Sequence, residues 1–150
     1  GGKERFHSVK SGIEALSDNV KTIAVHDAVR PLFSKKLIIK LILEAEKHDA
    51  VIPVVAPADS YRVIDGEASK IIDRSMLRMV QTPQVFNAQT LRKAYEQPFS
   101  AEFTDDASVV ESMGGVIALC EGERENIKLT TPSDMIFAEA IIEAENESEL

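Results

Sequence analysis

The chain has 150 residues, of which 44% are hydrophobic and 28% are charged, and its net charge is −8. This size and composition are typical of one globular domain with its own core. No apolar run approaches the roughly 20 residues of a membrane span, and an acidic protein is a poor general nucleic-acid binder. Cys120 is the only cysteine, so the sequence excludes a disulfide and predicts a small core thiol in a reducing compartment.

Helix and strand patterns alternate in the first third of the chain. Residues 5–16 have the spacing of an amphipathic helix, and Thr22–Val25 is a short apolar run typical of a buried strand. A second helix is predicted over residues 37–45 with Ser34 as its cap, and Ala50–Val55 is a second buried strand. Strand, helix and strand in this order predict an α/β fold with a parallel sheet.

The middle of the chain breaks this alternation. Residues 61–64 and 69–72 are two extended runs, and Asp65-Gly66 between them is a hairpin signal. We expect a β-hairpin arm over about residues 57–75, projecting from the domain. Such an arm is either a solvent-exposed excursion or a dimerisation element.

Helical patterns return after the arm. Helices are predicted over residues 89–96 and 105–113, the second with Thr104 as its cap, and a strand is predicted over residues 116–119. Thr131 and Pro132 mark the start of a last helix that ends near residue 145. Its inward face is predicted to be Met135, Ala138, Ile141 and Ile142.

The first candidate site follows the first predicted strand, at residues 26–31. In open α/β sheets, ligands bind beside the carboxyl ends of the strands. Asp27 there can bind Mg²⁺, which prefers one or two carboxylates together with phosphate oxygens. Arg30 can bind phosphate through its planar fork of donors, whereas His26 is either a backbone-bonded structural residue or a catalytic one.

Three other polar clusters are Asp73-Arg74 with Gln81-Thr82-Pro83-Gln84, Asn126-Ile127-Lys128-Leu129-Thr130-Thr131, and Thr104-Asp105-Asp106-Ala107-Ser108. Each could be no more than a solvated charge, an ordinary turn or a helix start. Together they suit nucleotidyl transfer, which needs positioning and charge neutralisation rather than a protein nucleophile. The sequence has neither a P-loop nor a nucleophile-elbow motif.

Six short motifs extend over nearly the whole chain. They are Gly1-Gly2-Lys3-Glu4-Arg5 with Ser8-Val9 and Gly12, His26-Asp27-Ala28-Val29-Arg30-Pro31, Asp73-Arg74, Thr82-Pro83-Gln84, Thr104-Asp105-Asp106-Ala107-Ser108 and Asn126-Ile127-Lys128. In these motifs and in their order, the chain resembles the 2-C-methyl-D-erythritol 4-phosphate cytidylyltransferase family.

The resemblance implies a Rossmann-like, GT-A-like nucleotidyltransferase fold and a homodimer joined by the β-hairpin arm. It implies transfer of CMP from CTP to 2-C-methyl-D-erythritol 4-phosphate, with Mg²⁺, to give 4-diphosphocytidyl-2-C-methyl-D-erythritol and pyrophosphate. This is a step of the non-mevalonate isoprenoid pathway. We expect a bacterial cytoplasmic enzyme, with a plastid location also open, and neither nucleic acid nor membrane as a partner.

The resemblance also implies roles for individual residues. Asp27, Arg30 and Lys128 are the predicted catalytic residues, with Asp27 on the metal. The predicted nucleotide contacts are Gly2, Lys3, Ser8, Asp27 and Ala28. The predicted substrate contacts are Ser60, Arg74, Thr82 and Thr104, with Arg74 reaching the neighbouring subunit's site and Ser60 standing where the family often has threonine.

One departure from the family pattern is large. The pattern opens with a strand and a Gly-rich loop that cradles the triphosphate, and no such loop occurs within residues 1–150. We therefore expect this chain to be the C-terminal part of a single cytidylyltransferase domain, and to be inactive by itself. The alternatives are a ribitol-5-phosphate cytidylyltransferase and a non-catalytic Rossmann-like module.

Overall fold

The computed structural model describes residues 1–148, with side chains described as far as residue 144. Within that range it contains five α-helices and seven strands. The helices are α1 (Arg5–Glu14), α2 (Lys35–Ala45), α3 (Ala88–Ala94), α4 (Asp106–Glu111) and α5 (Pro132–Ser148). The strands are β1 (Thr22–Val25), β2 (Ala50–Val55), β3 (Tyr61–Asp65), β4 (Ala68–Ile72), β5 (Met79–Val80), β6 (Gln84–Asn87) and β7 (Ala118–Glu121).

A mixed five-stranded sheet forms the centre of the domain. Its order is β1-β6-β2-β5, and β7 also pairs with β2. β1, β2 and β7 run in the same direction, but β6 lies antiparallel between β1 and β2. The predicted parallel sheet is therefore wrong for the β1–β2 neighbourhood. The α/β class is confirmed.

Side chains of β2 contribute to three hydrophobic clusters, the third formed by Ile52 and Val54 with Ala107. Ala50 and Phe86 belong to a cluster with α1, α3 and α4, and Val51 belongs to a second cluster with α2. Every residue of β2 is buried, as the continuous apolar run predicts. Cys120 packs in the second cluster, where burial raises the pKa of its thiol, so its predicted role as a core residue is confirmed.

The predicted hairpin forms and stands apart from the main sheet. β3 and β4 pair antiparallel as a separate two-stranded sheet, with Gly66 in the turn at φ +61°. That left-handed conformation suits glycine. The arm carries large exposed apolar side chains, with Ile64 72% and Ile71 68% exposed.

Several local predictions were wrong. Asp105, rather than Thr104, caps α4, because its carboxylate accepts the Ser108 N–H at 2.8 Å in a reciprocal capping box. The strand predicted over residues 116–119 begins two residues later, and β5 and β6 were not predicted at all. Met135 and Ile142 are 50% and 44% exposed, so the predicted inward face of α5 is only partly correct.

Ser34 does cap α2, accepting the Leu37 N–H at 3.0 Å, and Pro132 is the first residue of α5, as predicted. Among the helices of residues 1–148, none is long and apolar enough to cross a membrane.

Candidate active site

A cleft of about 250 Å³ lies beside the end of β1, between the β5–β6 junction and the start of α4. It brings together five of the residues predicted from the sequence, although they are spread over a hundred positions of the chain. Those five are Asp27, Arg30, Thr82, Thr104 and Lys128. Arg5, Gln84 and Asp105 line the same cleft.

The Asp27 carboxylate is the centre of the charge arrangement. Its Oδ1 lies 3.2 Å from Arg5 Nε and its Oδ2 lies 3.1 Å from Lys128 Nζ, and the side chain is 15% exposed. Partial burial by itself would raise the pKa of this carboxyl. The hydrogen bond from Lys128 and the two positive charges outweigh burial, and the pKa lies below its ordinary value. Asp27 is therefore an anion with one cation on each oxygen.

The loop that carries Asp27 is fixed by hydrogen bonds around His26. The Asp27 N–H donates to Thr82 Oγ1 at 3.0 Å, and the same hydroxyl lies 3.0 Å from His26 Nδ1. The other ring nitrogen, Nε2, lies 2.8 Å from the Arg30 carbonyl oxygen. Both ring nitrogens of His26 therefore have a partner within the loop and the adjoining strand end, which favours the structural interpretation of this residue.

Arg30 is tied to the far wall of the cleft. Its Nη1 donates to the Asn126 carbonyl oxygen at 2.8 Å, and its Nη2 to the Val80 carbonyl oxygen at 3.4 Å. Burial lowers the pKa of Arg30, and the nearby Asp27 charge partly offsets this. The guanidinium keeps its charge at any physiological pH. Arg30 thus supplies a fixed positive charge, with part of its donor fork already engaged by backbone carbonyls.

Arg5, which contacts Asp27, forms a second ion pair with Asp106. The sequence analysis did not predict this pair. Arg5 Nη2 lies 2.7 Å from Asp106 Oδ2, and the fully buried Asp106 accepts the Tyr95 hydroxyl at 2.6 Å through Oδ1. Arg5 and Asp106 are 101 positions apart, so neither spacing nor periodicity could pair them. Both stand inside the quoted motifs, which was the one available signal.

The predicted cytosine contacts lie at the start of α1, outside the lining of this cleft. Gly2, Lys3 and Ser8 are exposed, and the Gly2 N–H donates to Ser8 Oγ at 2.8 Å. A Cβ on residue 2 would overlap His7 Cβ, so this close approach requires glycine. Ala28, next to Asp27, is not among the residues that line the cleft either.

The two predicted substrate residues of the arm also stand apart from the cleft. Ser60 and Arg74 are exposed, and Arg74 Nη1 donates to the Ala58 carbonyl oxygen at 2.7 Å. Neither residue is among the lining of the cleft in this chain.

Asp27 is the carboxylate of the cleft that the sequence predicts as a metal ligand. Over the described part of the chain, no group of three His, Cys, Asp or Glu side chains is arranged to hold an ion. Mg²⁺ commonly binds one or two carboxylates and takes its remaining ligands from water and phosphate oxygens. Asp27 fits that pattern, provided that one of its two cation partners gives way.

Comparison with known proteins agrees with the motif order. Residues 1–144 match the family model of 2-C-methyl-D-erythritol 4-phosphate cytidylyltransferase. The chain belongs to this family. The cytidylyltransferase of that name from Bacteroides fragilis is 48% identical over 142 residues, which are 95% of this chain and 64% of the relative. The one from Bacillus licheniformis is 43% identical, and the match covers 99% of this chain and 65% of the relative.

Solved structures of the cytidylyltransferase family share the fold. The enzyme from Thermus thermophilus superposes with a TM-score of 0.83 at 35% identity, covering 95% of this chain and 71% of that one. The 4-diphosphocytidyl-2C-methyl-D-erythritol synthase from Anaerococcus prevotii superposes with a TM-score of 0.86 at 31% identity. The match covers 95% of this chain and 68% of that one. These matches confirm the nucleotidyltransferase fold. The chain spans 64% of the length of the Bacteroides relative.

Proposed function

We propose that the full-length protein transfers CMP from CTP to 2-C-methyl-D-erythritol 4-phosphate, releasing pyrophosphate and 4-diphosphocytidyl-2-C-methyl-D-erythritol. Family membership over residues 1–144 supports the reaction. The observation that carries the proposal for this chain is the shared cleft, where Asp27, Arg30 and Lys128 surround one space large enough for a phosphate group.

The chemistry needs no protein nucleophile. A phosphate oxygen of methylerythritol phosphate forms a bond to the α-phosphorus of CTP, and the bond from that phosphorus to the bridging oxygen breaks, with pyrophosphate leaving. Negative charge crowds the reacting phosphates throughout. Arg30 neutralises part of it from a fixed position, which lowers the barrier because its orientation needs no change during the reaction, and Lys128 adds a second positive charge.

Magnesium is part of the proposal, with Asp27 as its protein ligand. A bound Mg²⁺ would neutralise phosphate charge and hold the triphosphate in one orientation. Asp27 supplies one carboxylate, kept ionised by the positive charges beside it. Lys128, which is 46% exposed and on a flexible stem, can leave Asp27 for a substrate phosphate before the reaction begins.

The remaining predicted contacts divide between the two substrates. We assign the cytosine to Gly2, Lys3 and Ser8 at the start of α1, and the ribose side to Ala28. Thr82 and Thr104 offer hydroxyl groups to the polyol. The bacterial relatives, such as that of Bacteroides fragilis, support a bacterial setting for the pathway step, and a cytoplasmic location is part of the proposal.

The arm is proposed to join two copies of the chain. Exposed Ile64 and Ile71 lie on one face of the arm and exposed Val63 on the other, and the single chain leaves all three open to solvent. In a dimer, Arg74 and Ser60 at the base of the arm would reach the partner's cleft. Mixed dimers test this: an Arg74→Ala subunit combined with an Asp27→Asn subunit should recover activity that neither homodimer has. Absence of any recovery would rule out a shared site.

The reaction itself is tested with purified full-length protein, CTP, Mg²⁺ and methylerythritol phosphate. The expected result is equimolar pyrophosphate and a diphosphocytidyl product detected by mass spectrometry. Ribitol 5-phosphate serves as the competing substrate in parallel reactions. A clear preference for ribitol phosphate would refute the substrate assignment, and absence of product from both would refute the activity.

A further inference from the structure

Arg5 connects two acidic residues that belong to different parts of the fold. Its Nε lies 3.2 Å from Asp27 Oδ1 in the loop after β1, and its Nη2 lies 2.7 Å from Asp106 Oδ2 in α4. A guanidinium is planar and its donors have fixed relative directions. When Asp106 holds Nη2, the direction of the Nε donor toward Asp27 is therefore determined as well.

The Asp106 end of this connection is rigid. Asp106 is fully buried, and each of its oxygens has one strong donor, the Tyr95 hydroxyl at 2.6 Å and Arg5. Tyr95 is 2% exposed and stacks on Phe6 with ring centroids 4.7 Å apart. Phe6 neighbours Arg5 on α1, so the same helix is fixed by packing and by the ion pair.

The other cation on Asp27 is held far less firmly. Lys128 is 46% exposed, and its ammonium is a compact, strongly hydrated charge on a four-carbon stem. Its one described ionic contact is with Asp27 Oδ2 at 3.1 Å. The two oxygens of Asp27 therefore differ: Oδ1 is bound to a rigid donor and Oδ2 to a mobile one.

We propose that Arg5 is a positioning residue that fixes Asp27 through Oδ1, so that Oδ2 is the oxygen presented to the nucleotide's cation when Lys128 moves away. Arg5 does this without adding much net positive charge, because Asp106 neutralises it from behind. The inference rests on the proposed function for the identity of the ligand, but it concerns the orientation of a carboxylate that CTP binding can report without the second substrate.

The test compares Arg5→Lys with the wild type in the full-length protein. Lysine keeps the charge but cannot contact Asp27 and Asp106 through one planar group. CTP binding is measured by calorimetry with Mg²⁺ and again with EDTA. We expect Arg5→Lys to weaken CTP binding about tenfold with Mg²⁺, and to leave binding in EDTA within about twofold, as for residues that orient a metal ligand.

Catalysis gives a second readout. Arg5→Lys should lower kcat about tenfold or more while the KM for methylerythritol phosphate stays within about twofold. Tyr95→Phe, which keeps the ring and removes only the hydroxyl donor to Asp106, should act in the same direction by about threefold.

Arg92→Lys is the matched control. Arg92 also joins two elements, donating to the carbonyl oxygens of Ile13, Leu16 and Ser17 at 3.1–3.2 Å, and it is not among the residues that line the cleft. The Arg92→Lys substitution should lower the melting temperature and leave kcat and Mg²⁺-dependent CTP binding unchanged. Wild-type kcat and Mg²⁺-dependent CTP binding in Arg5→Lys, or equal weakening with and without Mg²⁺, would overturn the inference. Failure of the wild type to form product would refute the proposed reaction instead.

Discussion

Replacing Asp27 by asparagine removes the charge at the centre of the cleft while keeping the shape of the side chain. In the folded protein the carboxylate holds Arg5 Nε at 3.2 Å and Lys128 Nζ at 3.1 Å. An asparagine offers one acceptor oxygen and an NH₂ group, so it can keep one of these donors but not both. Arg5 retains Asp106 at 2.7 Å, and Lys128 is the partner released.

The effect on stability should be small. Arg5 and Lys128 are 37% and 46% exposed, so solvent screens both pairs, and the two contacts together contribute about 1 kcal/mol. The effect on turnover should be much larger, because the neutral amide is a poor ligand for Mg²⁺ and leaves the phosphates less neutralised. A loss of about 3 kcal/mol of transition-state stabilisation corresponds to roughly 10²-fold in kcat.

Pyrophosphate release under saturating CTP and methylerythritol phosphate measures kcat, and thermal unfolding measures the stability term. Asp18→Asn is the control, since Asp18 is an exposed carboxylate beyond the opposite end of α1 from Arg5. The control should match the wild type in both measurements. Turnover of Asp27→Asn within about threefold of the wild type would refute the metal-ligand assignment, because charge loss at a ligand costs more than that.

Three further substitutions test other parts of the argument. Lys128→Ala should lower kcat/KM for methylerythritol phosphate by about 10²-fold with little change in melting temperature, and steady-state kinetics that match the wild type would remove it from the site. Gly122→Ala places a Cβ within van der Waals overlap of Oε1 of Gln81, a buried and hydrogen-bonded side chain, and should cost about 1–3 kcal/mol in denaturant unfolding. Asp134→Asn tests pH dependence: backbone N–H donors hold the pKa of Asp134 below its ordinary value, so its stabilisation is complete above about pH 4 and is lost as the pH falls further. Unfolding midpoints of wild type and Asp134→Asn should therefore converge in acid, and a constant difference would contradict this.

Local patterns predicted most of the elements correctly. The apolar runs of β1 and β2, the Asp-Gly turn of the arm and the Ser34 cap all depend on neighbouring residues, and the structure contains each of them. β6 was missed because only Val85 and Phe86 in it are apolar. Its buried Gln84 is stabilised by partners distant in sequence: the amide donates to Asp105 Oδ2 at 2.8 Å and accepts the Ala107 N–H at 3.0 Å. A pattern of hydrophobicity cannot detect a strand whose polar residue is satisfied in this way.

In the site, too, local motifs were predictable from the sequence and contacts between distant residues were not. Motif order placed Asp27, Arg30 and Lys128 on the candidate list, and the fold brings them to one cleft. What motif order could not predict is that Asp27 carries two unequal cations, because the difference between them arises from Asp106 and Tyr95, which lie in the core. A buried carboxylate that lost its arginine would be left uncompensated at a cost of about 3 kcal/mol or more. The protein therefore retains Arg5 in one orientation for its own stability, and that orientation also sets the carboxylate in the cleft. A requirement of the core and a requirement of the site are met by the same side chain, which is why substitutions of Arg5 must be judged by kcat and metal-dependent binding rather than by unfolding alone.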